Sequence, residues 1–150
     1  GILSLSLVAE IKDIVVGHVI CSKAEVRTSD VVIPVLSFGP ISILPEYQRQ
    51  GIGKALINNM ISKATQIGYG AILFFGRPEY YPQFGFQEAS TGGITDLYGY
   101  NYPAFMGMEL ISGYLASAKD GRFYESDIFN DELNRDKVKA FDRRNHYAGL

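Results

Sequence analysis

Apolar and polar positions change their period several times along this 150-residue chain, and each change marks an element. Leu3 to Ile11 (LSLSLVAEI) alternates loosely, as a strand does. The polar pair Lys12-Asp13 and the β-branched run Ile14 to Cys21 (IVVGHVIC) complete a β-hairpin. A third strand is expected from about Val31 to Leu44, interrupted at Pro34 and at Gly39-Pro40, where such residues mark a bulge or an edge. From Gly51 to about Ile67 the period becomes helical. Ile52, Leu56, Met60 and Ala64 recur at i, i+4 with Ile57 and Ile61 beside them, and Asn58, Asn59, Ser62, Lys63 and Gln66 cover the other side. Gly68 ends the helix, and Tyr69 to Phe75 (YGAILFF) is a buried strand. Strand, helix, strand in this order is a right-handed crossover joining parallel strands.

The rest of the chain is more broken. Gly76 to Glu79 is a turn, and Tyr80 to Phe84 a short helical segment limited by Pro78 and Pro82 and ended by Gly85. Phe86 to Ala89 starts a strand, Ser90 to Pro103 is a polar, glycine-rich loop, and Phe105 to Ile111 and Arg122 to Ser126 are further strands. Residues 127–150 form a charged tail; within it Asp131 to Arg144 permits a helix anchored only by Leu133, Val138 and Phe141, which docks or frays. With no linker, repeat or low-complexity segment, residues 1–150 read as one domain.

The chemistry concentrates in Pro45 to Leu56, PEYQRQGIGKAL. A helix starts here without Ser, Thr, Asp or Asn at its N-cap, so its first amides need another partner. An anion suits the positive end of the helix dipole, and Gly51 and Gly53 let a phosphate approach the backbone with no Cβ in the way. A Walker A loop is excluded, because Ala55 follows Lys54 and Gln48 stands at the first glycine position; a Rossmann fingerprint is excluded by Leu56. The remaining pattern, Q-x-x-G-x-G from Gln48 to Gly53, follows a strand and a Pro45-Glu46-Tyr47 turn. It resembles the acetyl-CoA pyrophosphate loop of the GNAT superfamily of N-acetyltransferases.

A second resemblance lies in Tyr80-Tyr81-Pro82-Gln83-Phe84-Gly85-Phe86, similar to the Y-Y-x-x-F-G-F segment of bacterial acetyltransferases of this type. Together with Gly39-Pro40 and the Phe105 to Leu110 strand, it extends the similarity from roughly Leu7 to Leu110. The resemblance implies an α/β (α+β) fold of GNAT type: a mixed, mostly antiparallel sheet, splayed at the strand before the phosphate-loop helix. It implies acetyl-CoA as cosubstrate, held by Ile41, Ser42 and Ile43 along the splayed strand and by Gln48, Arg49, Gln50, Gly51, Ile52, Gly53 and Lys54 around the loop. Tyr81, four residues before Gly85-Phe86, takes the position of the family's general acid, and a donor to the thioester carbonyl is implied near Ile43. The implied reaction is transfer of acetyl to a primary amine of a small molecule or protein by direct attack; the alternative is a non-catalytic acyl-CoA-binding module or sensor of the same fold.

Composition narrows the rest. A formal net charge of −2 indicates no nucleic-acid partner and no polybasic membrane patch. One cysteine, Cys21, and two histidines exclude an intramolecular disulfide and a metal cluster of Cys or His; Cys21 reads as a small buried hydrophobe. Without a signal-peptide pattern or an apolar run of membrane-spanning length, the expected setting is the cytoplasm. Glu10, His18, Glu79 and Glu109 are open as general base, with a water chain as the equal alternative. Tyr98, Tyr100 and Tyr102 either border the acceptor pocket or pack structurally. The chain begins almost at the hairpin, whereas a GNAT domain opens with a strand and one or two helices. That wall is either absent here or supplied by a second subunit, and a homodimer, with the charged tail as its dimerisation element, is one expectation.

Overall fold

A computed structural model describes residues 3–125, with side chains from Leu5 onward. Its elements are β1 (Leu3–Ile11), β2 (Ile14–Arg27), β3 (Val32–Ile43), α1 (Ile52–Ile67), β4 (Ala71–Phe75), β5 (Gln87–Glu88), β6 (Phe105–Glu109) and β7 (Arg122–Glu125). They form the expected mixed sheet, ordered β1-β2-β3-β4-β6-β5, with β7 pairing β2 beyond the end of β1. Among the described strand pairs only β3–β4 is parallel, and one isolated parallel bridge joins Thr95 to Arg122. The charged segment beyond Asp127 lies outside the described residues.

Each element has a local cause. Lys12 and Asp13 take positive φ (51° and 67°), as a two-residue hairpin turn requires. β2 runs past Cys21 to Arg27 because its second half pairs on both sides, with β3 and with β7. β3 is continuous rather than interrupted. It carries a bulge at Gly39-Pro40, where Cys21 faces Phe38 and Val19 faces Ile41. In α1 the stripe Leu56, Ile57, Met60 and Ala64 is buried, and Gly68 closes the helix at φ 109° with its N–H on the Ala64 and Thr65 carbonyls. β4 begins at Ala71 instead of Tyr69, because the Tyr69 N–H still serves the Ala64 carbonyl (3.1 Å) and Gly70 lies beneath the Tyr114 ring.

Both faces of the sheet are covered, which is why Ala71 to Phe74 reads apolar without alternation. Val19, Cys21, Leu36, Phe38, Ile72 and Phe74 pack beneath α1. Ala24, Val26, Val35, Leu73, Phe105 and Phe123 pack on the other face with Ile94 and Ala118. The segment from Ser90 to Pro103, expected as a plain loop, is organised by one buried side chain. Asp96 Oδ1 accepts the N–H groups of Tyr98 (2.9 Å) and Tyr100 (2.8 Å), and Ile94 is buried beside it. Among the described residues no helix is long and apolar enough to cross a membrane.

Candidate active site

β3 and β4 share a single register pair, Leu36 opposite Ile72. Beyond it β3 continues to Ile43, while β4 ends at Phe75 and the chain turns away through Gly76. The strands part, and a groove of about 520 Å³ fills the gap. Ile41 and Ile43 line one side of it, Arg77, Tyr80 and Tyr81 the other, and the turn into α1 crosses its mouth.

Strand register fixes what β3 offers this groove. The Leu44 N–H donates to the Val16 carbonyl (2.8 Å), so backbone groups of Leu44 and, two residues back, Ser42 face β2. Those of Ile41 and Ile43 face the gap left by β4. The Ile43 carbonyl there accepts Gln48 Nε2 at 3.1 Å, which ties the loop to the end of β3. The Ile43 N–H and both backbone groups of Ile41 therefore line an open strand edge.

Across the mouth, α1 starts at Ile52 with Gly51 as N-cap at φ 84° and no side-chain cap. Its first hydrogen bond runs from the Ala55 N–H to the Gly51 carbonyl (3.0 Å), so the amides of Ile52, Gly53 and Lys54 are those that helix geometry leaves over. A Cβ on Gly51 would meet nothing within 4 Å, and one on Gly53 only the Tyr80 hydroxyl at 3.9 Å. That surface is bare backbone beside a cavity. Arg49, Lys54 and Arg77 line the groove, with no carboxylate among its lining residues. The arrangement suits an anion with a long polar tail.

Tyr81 sits where the groove meets the core. It is only 8% exposed, and its ring packs edge-on to Phe74 (4.7 Å between centroids) and to Phe38 (5.6 Å). Burial pushes its phenol above the ordinary value and the Tyr80 phenol adds to the shift, while the Arg77 guanidinium pulls the other way. Tyr81 thus keeps its proton beside the groove. Cys21 is buried beneath α1, and burial pushes its thiol up to about 12, as befits an inert core residue.

The structure separates the remaining sequence candidates. Gln48, Arg49, Gly51, Gly53, Lys54, Ile41, Ile43 and Tyr81 converge on the groove. Ser42 faces β2, Gln50 Nε2 caps the Glu46 carbonyl (3.1 Å), and Ile52 packs over Gly17. His18 is hydrogen-bonded to Ser6 (3.3 Å), and the Glu109 carboxylate accepts the Leu115 N–H (2.8 Å), so both have structural work. Tyr98 and Tyr100 are exposed, and Tyr102 reaches the Phe75 ring (6.4 Å). Four lining residues escaped the sequence reading: Tyr47, Ile57, Arg77 and Tyr80. Arg77 was the detectable one, since it follows the carboxyl end of a parallel strand, where open sheets bind ligands.

Residues 3–88 match the family model of the acetyltransferase (GNAT) domain. The chain belongs to the GNAT acetyltransferase family. The uncharacterized N-acetyltransferase YjhQ of Escherichia coli K12 is 31% identical over 88 residues, which are 58% of this chain and 48% of YjhQ. YhbS of the same strain, also an uncharacterized N-acetyltransferase, is 30% identical over 91 residues, 60% of this chain and 53% of YhbS. This GNAT chain spans about half the length of these curated relatives. The crystal structure of Escherichia coli YhbS in complex with CoA aligns with a TM-score of 0.75 at 25% identity, over 86% of this chain and 71% of that one. A GNAT family acetyltransferase from Brucella melitensis in complex with acetyl-CoA aligns with a TM-score of 0.57 at 28% identity, over 72% and 59%.

Proposed function

We propose that this chain is an N-acetyltransferase that takes acetyl from acetyl-CoA to a primary amine of a small molecule or protein, by direct attack. The observation that carries the reading is the parting of β3 and β4 past Leu36 and Ile72, with the uncapped end of α1 at the mouth of the gap. The CoA and acetyl-CoA complexes of YhbS and the Brucella enzyme support it by likeness. A cytoplasmic setting goes with the reading.

The residues fit the donor end to end. The amides of Ile52, Gly53 and Lys54, the helix dipole and the cations Arg49, Lys54 and Arg77 would hold its phosphates. The bare edge at Gly51 and Gly53 admits their bulk. Backbone groups of Ile41 and Ile43 would pair with the two amides of the pantetheine arm, as a neighbouring strand would. Gln48 keeps the loop and this edge in one geometry through its bond to the Ile43 carbonyl.

Acetyl-CoA bound there supplies the thioester at which a C–N bond forms as the C–S bond breaks, the proton lost from nitrogen balancing the one gained by sulfur. Tyr81, protonated by virtue of its burial, donates that proton at its hydroxyl. The Ile43 N–H is aimed into the gap, where it can donate to the oxygen on which negative charge develops. The amine must arrive neutral, since only a lone pair attacks and an alkylammonium has a reference pKa of about 10.4. Binding the long remote part of the donor fixes the reacting centre against Tyr81.

Calorimetric titration with acetyl-CoA, followed by thiol release over a panel of primary amines, tests the proposal. Saturable binding and amine-dependent thiol release are expected. An absence of heat and of thermal stabilisation by acetyl-CoA would overturn it.

A further inference from the structure

Beside Tyr81 the groove has a second tyrosine, Tyr80, which caps the 3-10 turn Tyr81–Phe84 and is half-buried. The N–H groups of Tyr80 and Tyr81 both donate to the Arg77 carbonyl (3.1 and 3.3 Å), and Gln83 Nε2 donates to the Tyr80 carbonyl (2.8 Å). The Tyr80 ring stands edge-on to Tyr81 (5.1 Å between centroids) and to Phe84 (5.5 Å). Backbone and ring are both held in place.

These contacts account for the ring and leave the hydroxyl over. A phenylalanine at position 80 would make the same two edge contacts. The hydroxyl adds reach, to 3.9 Å from the place that a Cβ would take on Gly53 in the first turn of α1. It makes no hydrogen bond with the described residues, and it opens onto the groove that Tyr80 and Gly53 both line.

What this hydroxyl faces is a set of donors. The amides of Ile52, Gly53 and Lys54 are those left over at the start of α1, and Arg49, Lys54 and Arg77 line the same groove without a carboxylate. A phenol has one proton to give, and neither an N–H nor a cation can take it. An acceptor seated between Tyr80 and Gly53 would serve both sides at once. The oxygens of a phosphate diester are acceptors carrying negative charge, and hydrogen bonds to charged groups are the stronger kind. A Cβ at position 53 would stand between phenol and phosphate, and glycine keeps that path clear.

We propose that Tyr80 is a binding residue for the donor's diphosphate, its hydroxyl donating to a phosphate oxygen that the first turn of α1 also holds; the inference rests on the acetyltransferase reading above. The two consecutive tyrosines then divide the donor between them. The Tyr80 hydroxyl lies against α1, at the phosphate end, while the Tyr81 ring packs inward on Phe74 and Phe38, at the sulfur end. Tyr80 also differs in kind from the cations around it. A neutral phenol attracts no anion from a distance and contributes only when an acceptor meets it at hydrogen-bond range. Its share of the affinity is therefore directional and insensitive to salt, whereas the shares of Lys54 and Arg77 are screened.

The test is calorimetry on the full chain and on Tyr80→Phe, with acetyl-CoA and with ADP, which carries a diphosphate and no pantetheine arm, at low and at high salt. Tyr80→Phe keeps the ring contacts, so the melting temperature of the unliganded protein should not move. The variant should bind acetyl-CoA about tenfold more weakly or worse. ADP should weaken by the same factor, and both losses should persist at high salt. Unchanged acetyl-CoA affinity in the variant, a loss that spares ADP, a loss that vanishes at high salt, or failure of ADP to bind the parent overturns the inference. Failure of acetyl-CoA to bind the parent would instead defeat the acetyltransferase reading, while the ADP titrations still report on the phenol.

Discussion

Tyr81 keeps Gly76 bare: a Cβ on Gly76 would stand 2.6 Å from Tyr81 Cε2 and 2.5 Å from Phe74 Cε2. The turn out of β4 and the phenol beside the groove are therefore one packed unit. Gly76→Ala must push the ring or the backbone, and overpacking of this kind costs about 1–3 kcal/mol. Thermal melting should register that loss. Turnover should fall further than acetyl-CoA affinity does, because the displaced residue is the proposed proton donor and not a proposed phosphate contact. A variant with unaltered kcat would show that Tyr81 need not stand where it does.

Tyr81→Phe removes the hydroxyl and leaves the ring packing with Phe38, Phe74 and Phe86 intact. A fall in kcat of about 100-fold is expected, within the usual range for a lost general acid. Because burial raises the phenol above 10.0, its acid form persists through neutral and mildly alkaline solution. The ratio of parent to variant rates should stay constant from about pH 7 to 9. Parent-like rates across that range would remove Tyr81 from the chemistry.

Arg49, Lys54 and Arg77 surround a groove free of lining carboxylates, so donor affinity should depend on salt. Neutralising Lys54 or Arg77 (Lys54→Gln, Arg77→Gln) should each weaken acetyl-CoA binding by about 3- to 30-fold at low ionic strength, less at high salt. Titrations at two salt concentrations decide it. The stability of the apo protein should hardly change, since both side chains are at the surface.

Cys21 gives a pH dependence of stability. In the unfolded chain its thiol ionises at the ordinary 9.0, while the folded chain holds the proton to about 12. Between those values the native state binds more protons, so unfolding free energy falls as pH rises through this window and is unaffected by this group below it. The raised Tyr81 phenol adds a contribution of the same sign from about pH 10. Denaturant midpoints measured from pH 7 to 11 should decline above 9. The decline should be shallower in Cys21→Ala, even though that variant starts from a lower midpoint because of the lost packing.

What could be read from the chain was whatever a short window determines. The two-residue hairpin turn, the stripe from Leu56 to Ala64, the glycine-flanked start of α1 and the strand-helix-strand crossover each follow from neighbours in sequence, and the structure has them. The groove was legible because both of its long walls, Ile41 to Lys54 and Arg77 to Tyr81, adjoin elements of that crossover. Tyr80 was passed over since its direction depends on the 3-10 turn that it caps, whereas Arg77 stood in plain view just past the end of β4. The order within 90–103 was hidden in a single residue, Asp96, whose carboxylate gathers amides two and four residues on. Pairing of β7 with β2 leaves no local trace at all.

That last pairing has a consequence for how the molecule is assembled. Arg122 to Glu125 meets Ala24 to Arg27 only after nearly the whole described length has been traversed, and so distant a contact bears a large loop-closure entropy. The hairpin and the crossover around α1 can collapse early on local contacts. β7 is then the piece added late, and a ribosome-bound chain would own the uncapped start of α1 before this last strand joined the sheet.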